Sequence, residues 1–316
     1  MSSQAIYLPH ASLSGAFFFL LDKSPSKDYN TDILAKKEYI FMLLFFAVLG
    51  VCTGVPLCFL FDAGVLARVG IGVGLSAAAF VGWLFLYVLT LFLFSLFIDL
   101  KKPRDKDHPF VRFLIAETVR LVCQLGRVKI ETEGLEKMPE GRFLLVSNHR
   151  SMFDPLVSLV AFKKYPMAFV TKPENLKIPL AGPIIRYCCF LPINRENPRE
   201  AIRAINSAAS LIKNDTLSVG IYPEGTRNKG EGTLLPFHGG VLMIAQKAGG
   251  VPVVAVTVEN TEKVAKNFPF RKTVVRLKVC CVIPGEEVLA SRTDDLSAKL
   301  YEVMEEELKP VYGTKG

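Results

Sequence analysis

The sequence predicts an α/β protein: a mixed, largely parallel sheet flanked by helices, with an N-terminal hydrophobic helical hairpin in the membrane. Three observations carry that reading. Apolar residues make up 50% of the 316 residues, yet they are concentrated, and Tyr39–Ile98 holds only two charges, Asp62 and Arg68. From Val128 onward, short apolar runs alternate with amphipathic ones, as strands and helices do in a layered domain. The net charge of +8 is also localised: residues 99–285 carry +12, residues 286–316 carry −4, and the earlier segments are neutral. A mean hydropathy of +0.32 excludes an intrinsically disordered chain.

The hairpin comes first along the chain. A spanning helix needs roughly 20 apolar residues. Ile40–Phe61 supplies 22 uncharged residues and Val69–Ile98 supplies 30. The break between them, Asp62 to Arg68, holds the only charges. Pro56, Gly50, Gly54, Gly70 and Gly72 leave room for a kinked, re-entrant hairpin as the alternative to a spanning one. Trp83 and Tyr87 fall mid-run, where they are poor interface anchors. Lys36 and Lys37 precede the hairpin, and Lys101, Lys102, Arg104 and Lys106 follow it. Positive charge at both ends of a neutral loop predicts that both ends face the cytoplasm. Met1–Ser14 lacks the basic start of a cleavable signal peptide. Seven cysteines without a CxxC spacing read as reduced packing thiols.

The expected organisation is a segment 1–38 of unassigned role, a membrane hairpin 39–98, a basic linker and amphipathic helix 99–126, and a catalytic domain 127–316. In Pro109–Arg127, Phe110, Phe113, Leu114, Leu121 and Leu125 favour one side of a helix, with Glu117, Arg120, Gln124 and Arg127 on another. Such a helix could lie on a membrane or pack on its domain. Strands are expected at Val128–Thr132, Phe143–Val146, Met167–Val170, Cys189–Ile193, Leu217–Tyr222, Val251–Val258 and Val274–Ile283. Helices are expected at Pro155–Phe162, Leu176–Tyr187, Pro198–Lys213, His238–Ala248 and Leu296–Leu308. In Pro198–Lys213, Ile202, Ile205 and Leu211 should face inward.

Chemistry in open sheets sits at the carboxyl ends of strands. Three polar islands fall at such ends: Asn148–Asp154, Asn194–Arg195 and Glu224–Asn228. His149 and Asp154 would lie about 140° apart on an unbroken helix, so they meet only if a loop precedes the helix. Pro155 favours the first helical position, which makes Asp154 the N-cap. A carboxylate there can accept from Nδ1–H of His149 and leave Nε2 as a base. Taken singly, Asp154 could merely cap a helix and His149 could be an ordinary loop histidine. No GxSxG is present, so the nucleophile is expected to be a substrate hydroxyl, deprotonated as it attacks an activated acyl group. Gly225 permits close backbone approach, and Arg227 can bind a phosphate bidentately. Glu224 is better suited to orienting an Arg or a loop amide than to holding an anion. Lys172 and Arg195 could join a phosphate pocket. The excess positive charge suits an anionic membrane surface or an anionic substrate. Nucleic acid is not expected, because no stripe of interleaved basic and aromatic residues occurs.

At these residues the chain resembles the glycerophospholipid acyltransferase family, and most of all its 1-acyl-sn-glycerol-3-phosphate (lysophosphatidate) acyltransferases. Four ordered blocks carry the resemblance: Asn148-His149-Arg150-Ser151-Met152-Phe153-Asp154, Phe190-Leu191-Pro192-Ile193-Asn194-Arg195, Tyr222-Pro223-Glu224-Gly225-Thr226-Arg227-Asn228 and Val251-Pro252-Val253-Val254-Ala255-Val256. The fourth lacks a second proline common in the family. The resemblance implies that His149 is the base and Asp154 its orienting partner. It implies that Arg195, Glu224, Gly225, Thr226 and Arg227, and more loosely Lys172, shape the glycerol phosphate site. Pro252 would border the acyl chain. It further implies an acyl-CoA or acyl-carrier-protein donor, no metal or other cofactor, lysophosphatidate and the bilayer as partners, and a catalytic domain on the cytoplasmic face of the cell membrane. Alternatives are a different lysophospholipid or glycerol 3-phosphate as acceptor, hydrolysis by the same base, and a non-catalytic lipid-binding protein.

Overall fold

The computed structural model describes residues 41–100, 104–194, 196–230 and 232–313. The expectations placed on residues 1–38, Lys101, Lys102 and Arg195 lie outside them. Two long apolar helices open the described chain, α1 (Phe41–Cys58) and α2 (Val65–Leu96). They pack side by side through small residues. A Cβ on Gly54 would stand 2.2 Å from the backbone nitrogen of Ser76, and one on Gly50 would stand 2.8 Å from its carbonyl oxygen. Glycine at this four-residue spacing lets two helix backbones approach closely. Gly50 and Gly54 therefore serve close helix packing, and Pro56 falls in the last turn of α1 without dividing it. Trp83 donates from Nε1 to the Thr53 hydroxyl at 3.1 Å, tying α2 to α1. Arg68 sits in the first turn of α2, so the break is shorter than the charge pattern suggested.

Helix α3 (Pro109–Leu125) follows, with Pro109 in its first turn. Its faces depart in part from the simple expectation: Leu121 is buried and Arg127 exposed, as expected, but other positions are exchanged. Glu117 and Arg120 are buried and paired with each other, whereas Phe110, Phe113, Val122 and Leu125 are exposed. The buried pair satisfies both charges, which permits a polar residue inside. Val111, Val119 and Cys123 join the core of the domain. Leu121 packs instead with Met42 and Phe46 of the hairpin, and Tyr87 shares a 2.6 Å hydrogen bond with Thr118. Tyr87 and Trp83 thus make internal bonds within this assembly.

The rest of the chain forms β1 (Val128–Glu133), β2 (Leu144–Ser147), α4 (Asp154–Ala161), β3 (Met167–Thr171), α5 (Ala181–Tyr187), β4 (Leu191–Pro192), α6 (Pro198–Lys213), β5 (Ser218–Ile221), α7 (Met243–Lys247), β6 (Val253–Glu259), α8 (Thr261–Asn267), β7 (Thr273–Ile283), α9 (Gly285–Ala290) and α10 (Thr293–Tyr312). The seven strands are ordered β1-β7-β6-β2-β5-β3-β4. The five strands from β6 to β4 are parallel. β7 runs antiparallel to β6, and β1 runs parallel to β7. This is the mixed, mostly parallel sheet with flanking helices read from the sequence. β2 and β5 are buried along their whole lengths, as continuous apolar runs in a doubly covered sheet require.

α6 begins where Asn197 accepts from the amides of Arg199 and Glu200 at 3.1 and 3.4 Å. Its buried face is Ala204, Ala208, Ala209, Leu211 and Ile212; Ile202, expected inside, is exposed. Small alanines let the helix lie close to the sheet, and that moves the contact face away from Ile202. The seven cysteines are free, and burial pushes the Cys188 thiol up to about 12.

Candidate active site

β2 and β5 are adjacent and parallel, so the loops leaving their carboxyl ends meet. Asn148, the first residue past β2, uses both ends of its side-chain amide on β6. Its Nδ2 donates to the Val258 carbonyl at 2.9 Å, and its Oδ1 accepts from the Val258 amide at 2.7 Å. That clamp sets the path of the loop carrying His149.

Asp154 is fully buried at the start of α4. Its Oδ2 accepts from the amides of Arg150 and Ser151, each at 2.8 Å, and faces Nδ1 of His149 at 2.7 Å. Its Oδ1 accepts from the Thr261 hydroxyl. An ionised carboxylate can only accept, so Nδ1 carries the ring proton and the Nε2 lone pair is left free. The loop folds back as the sequence suggested, by a different local device. Phe153 occupies the cap position and Asp154 is already helical. Its carboxylate therefore turns outward to bind the preceding loop rather than the first amides of its own helix.

The His149 ring lies on the Tyr222 ring, with centroids 4.3 Å apart and planes 18° apart; Tyr222 in turn stacks on Phe169. Offset stacking of this kind favours one ring plane. Glu224 is buried. Its two oxygens accept separately from the amides of His149, at 2.6 Å, and Leu235, at 2.9 Å. The Asn228 amide donates to the His149 carbonyl at 2.7 Å. Glu224 thus orients loop amides, one of the two roles its chemistry suggested. Burial raises its carboxyl pKa, and the donated amides and the nearby His149 and Arg150 oppose that rise.

Gly225 has φ +76°, a left-handed conformation that costs glycine little. Thr226 and Arg227 follow it and are exposed, and Arg227 makes no hydrogen bond or ion pair among the described residues. Lys172 is exposed at the carboxyl end of β3, the strand beside β5. The islands Asn148–Asp154 and Glu224–Asn228 are thus joined directly. Pro252 lies elsewhere. It precedes β6 at the level of Phe143, on the amino edge of the sheet, roughly 17 Å from Asn148 at ~3.3 Å per residue.

Three residues in or beside this site escaped the sequence reading. Tyr222 was seen as part of a block but not as the ring beneath His149. Thr261 was not seen at all. The strand-end rule that exposed the other islands applies equally to the carboxyl end of β6, where Thr261 stands. Arg150 was also passed over; its guanidinium bonds the Gly232 and Thr233 carbonyls and covers the Tyr312 ring at 3.5 Å.

A buried carboxylate and a fixed imidazole, beside a glycine loop at the carboxyl ends of central strands, are the groups that general-base chemistry requires. Residues 129–259, which hold all of it except Thr261, match the family model described as acyltransferase. The chain is similar to proteins named 1-acyl-sn-glycerol-3-phosphate acyltransferase. It is 33% identical over 163 residues to a chloroplastic one from Brassica napus, covering 51% of this chain and 45% of that protein. It is 26% identical over 197 residues to one from Saccharomyces cerevisiae, covering 61% and 63%. The chain thus spans less than two thirds of either relative. Its fold is similar to the crystal structure of the 1-acyl-sn-glycerophosphate (LPA) acyltransferase PlsC from Thermotoga maritima, with a TM-score of 0.52, 24% identity, and coverage of 73% of this chain and 90% of that one.

Proposed function

We propose that this protein transfers a fatty acyl group from an acyl thioester, acyl-CoA or acyl-carrier protein, to the 2-hydroxyl of 1-acyl-sn-glycerol 3-phosphate, giving phosphatidate. The observation that carries the reading is the His149–Asp154 pair, 2.7 Å apart, with Asp154 buried and His149 open to solvent on one side. The names of the relatives support the acceptor and the reaction.

In this mechanism Nε2 of His149 takes the hydroxyl proton as the oxygen attacks the thioester carbonyl carbon. Asp154 stays ionised and stabilises the imidazolium. The carbon–sulfur bond breaks, and the imidazolium proton passes to the departing thiolate. Atoms balance as phosphatidate and free thiol. Arg227, with Lys172 and Arg195, binds the acceptor's phosphate, and Gly225 lets the backbone approach it. The hairpin 39–98 holds the domain 127–316 at the cytoplasmic face, where both substrates arrive. Two helices of 18 and 32 residues, each with an 18-residue stretch of mean hydropathy 2.3, support the attachment to a membrane.

The test is purified protein in lipid, offered a panel of labelled lysolipids and glycerol 3-phosphate with each donor type. Acylation of 1-acyl-sn-glycerol 3-phosphate above all others is expected, with turnover lost in His149→Ala at unchanged membrane fraction. Preference for another acceptor, or thioester cleavage independent of acceptor, would overturn the assignment.

A further inference from the structure

We infer that the turn following α8, Phe268–Lys272, is a second membrane contact: two aromatic side chains set in a basic collar, lying on an anionic leaflet. It sits on the sheet edge that carries His149. The inference rests on the hairpin being embedded in lipid and does not depend on acyl transfer.

Phe270 is 82% exposed and Phe268 43% exposed, the former among the most exposed large apolar residues outside the hairpin. Neither is a loose end. The Phe268 ring lies on Gly126, where an added Cβ would stand 2.5 Å from it, and Arg127 bonds the Phe270 carbonyl at 3.1 Å. The turn is thus fixed to the end of α3 with its rings presented outward. Exposed aromatic surface held in place costs solubility, so an occupant is called for.

Charge identifies the occupant. Arg127, Lys263, Lys266, Arg271 and Lys272 are all exposed around the turn. The nearby acid, Glu262, faces the Tyr312 hydroxyl at 3.4 and 3.5 Å instead. Aromatic rings among lysines and arginines match the boundary between acyl chains and anionic headgroups. Position agrees. On α3, Leu121 packs against the hairpin residues Met42 and Phe46, and one turn later Leu125 is exposed beside Gly126. Exposed Val122 and Leu125 therefore continue the apolar surface from the foot of the hairpin to the Phe268 ring. A bilayer spans that whole surface.

The test places an indole at the tip. F270W is made in a W83F background, and the protein is reconstituted with acyl-brominated phosphatidylcholine containing phosphatidylglycerol. The expected result is a blue-shifted indole emission, largely quenched by the bromines, with both effects weakened by R271E/K272E. Because Trp83 bonds Thr53, a parallel series keeps Trp83 and reads the difference between F270W and the unchanged chain. Protein that floats with the vesicles but shows unquenched, water-like emission from the F270W indole would overturn the inference. Protein that fails to float would overturn the hairpin placement and this contact with it, whatever the acyltransferase assay gives.

Discussion

Asp154 is buried and held by four donors, while the hairpin joins α1 to α2 through two glycines pressed against Ser76. The first arrangement is directional: each bond fixes one atom, and losing one changes chemistry more than shape. The second is steric: shape is nearly everything, and a bulkier residue damages the helix pair without touching a reacting group. In a chain that does both, substitutions should separate cleanly into those that stop turnover and those that loosen attachment.

Asp154→Asn is the severest break on the catalytic side. An amide in that pocket can turn its nitrogen toward His149, which then presents the wrong tautomer, or toward the amides of Arg150 and Ser151, where donor meets donor. Turnover should fall by about 10²–10⁴-fold, the usual range for lost general-base catalysis. Steady-state assay beside a thermal melt checks this; a melt that collapses as far as the activity would move Asp154 from chemistry to folding. Thr261→Val comes next. It keeps the shape of the side chain and removes the hydroxyl bond to Oδ1. A hydrogen bond to a charged group is worth about 1.5–3 kcal/mol, or roughly ten- to a hundredfold. The loss should fall on kcat rather than KM, and Thr261→Ser should recover most of it, because serine restores the donor.

Gly54→Leu tests the steric side. The added side chain has no room beside the Ser76 backbone, and overpacking costs about 1–3 kcal/mol. The expected outcome is a lower melting temperature and faster proteolysis between the helices, with turnover per folded molecule preserved. Equal stability would mean that α1 and α2 separate freely and that the glycine contact is dispensable.

The same contrast explains what was legible in the sequence. Polar islands at strand ends announce themselves, because His149, Asp154 and Glu224 interrupt apolar runs that otherwise make strands. The hairpin is legible from length and charge alone. Faces are harder to read. Ile202 and the Glu117–Arg120 pair defeat periodicity because the neighbour decides which face is inside: α6 meets the sheet through alanine, and α3 meets two surfaces at once. The helix α8 was missed because its run, Thr261–Asn267, is only seven residues long and largely polar. Thr261 lies 107 positions from its carboxylate, so only the sheet order, with β6 beside β2, brings them together.

Arg227 offers the mildest and most selective test. It is exposed and unbonded among the described residues, so nothing in the fold depends on its guanidinium. Arg227→Ala should leave the melt unchanged and kcat nearly so. An exposed ion pair is worth up to about 1 kcal/mol, so the KM for the phosphate-bearing acceptor should rise by no more than about fivefold. The KM for the thioester should not move. Because solvent ions screen an exposed pair, the gap between variant and parent should narrow as salt is raised. A gap that persists in high salt would mean that the acceptor buries Arg227 on binding, which would make this loop as directional as the pocket around Asp154.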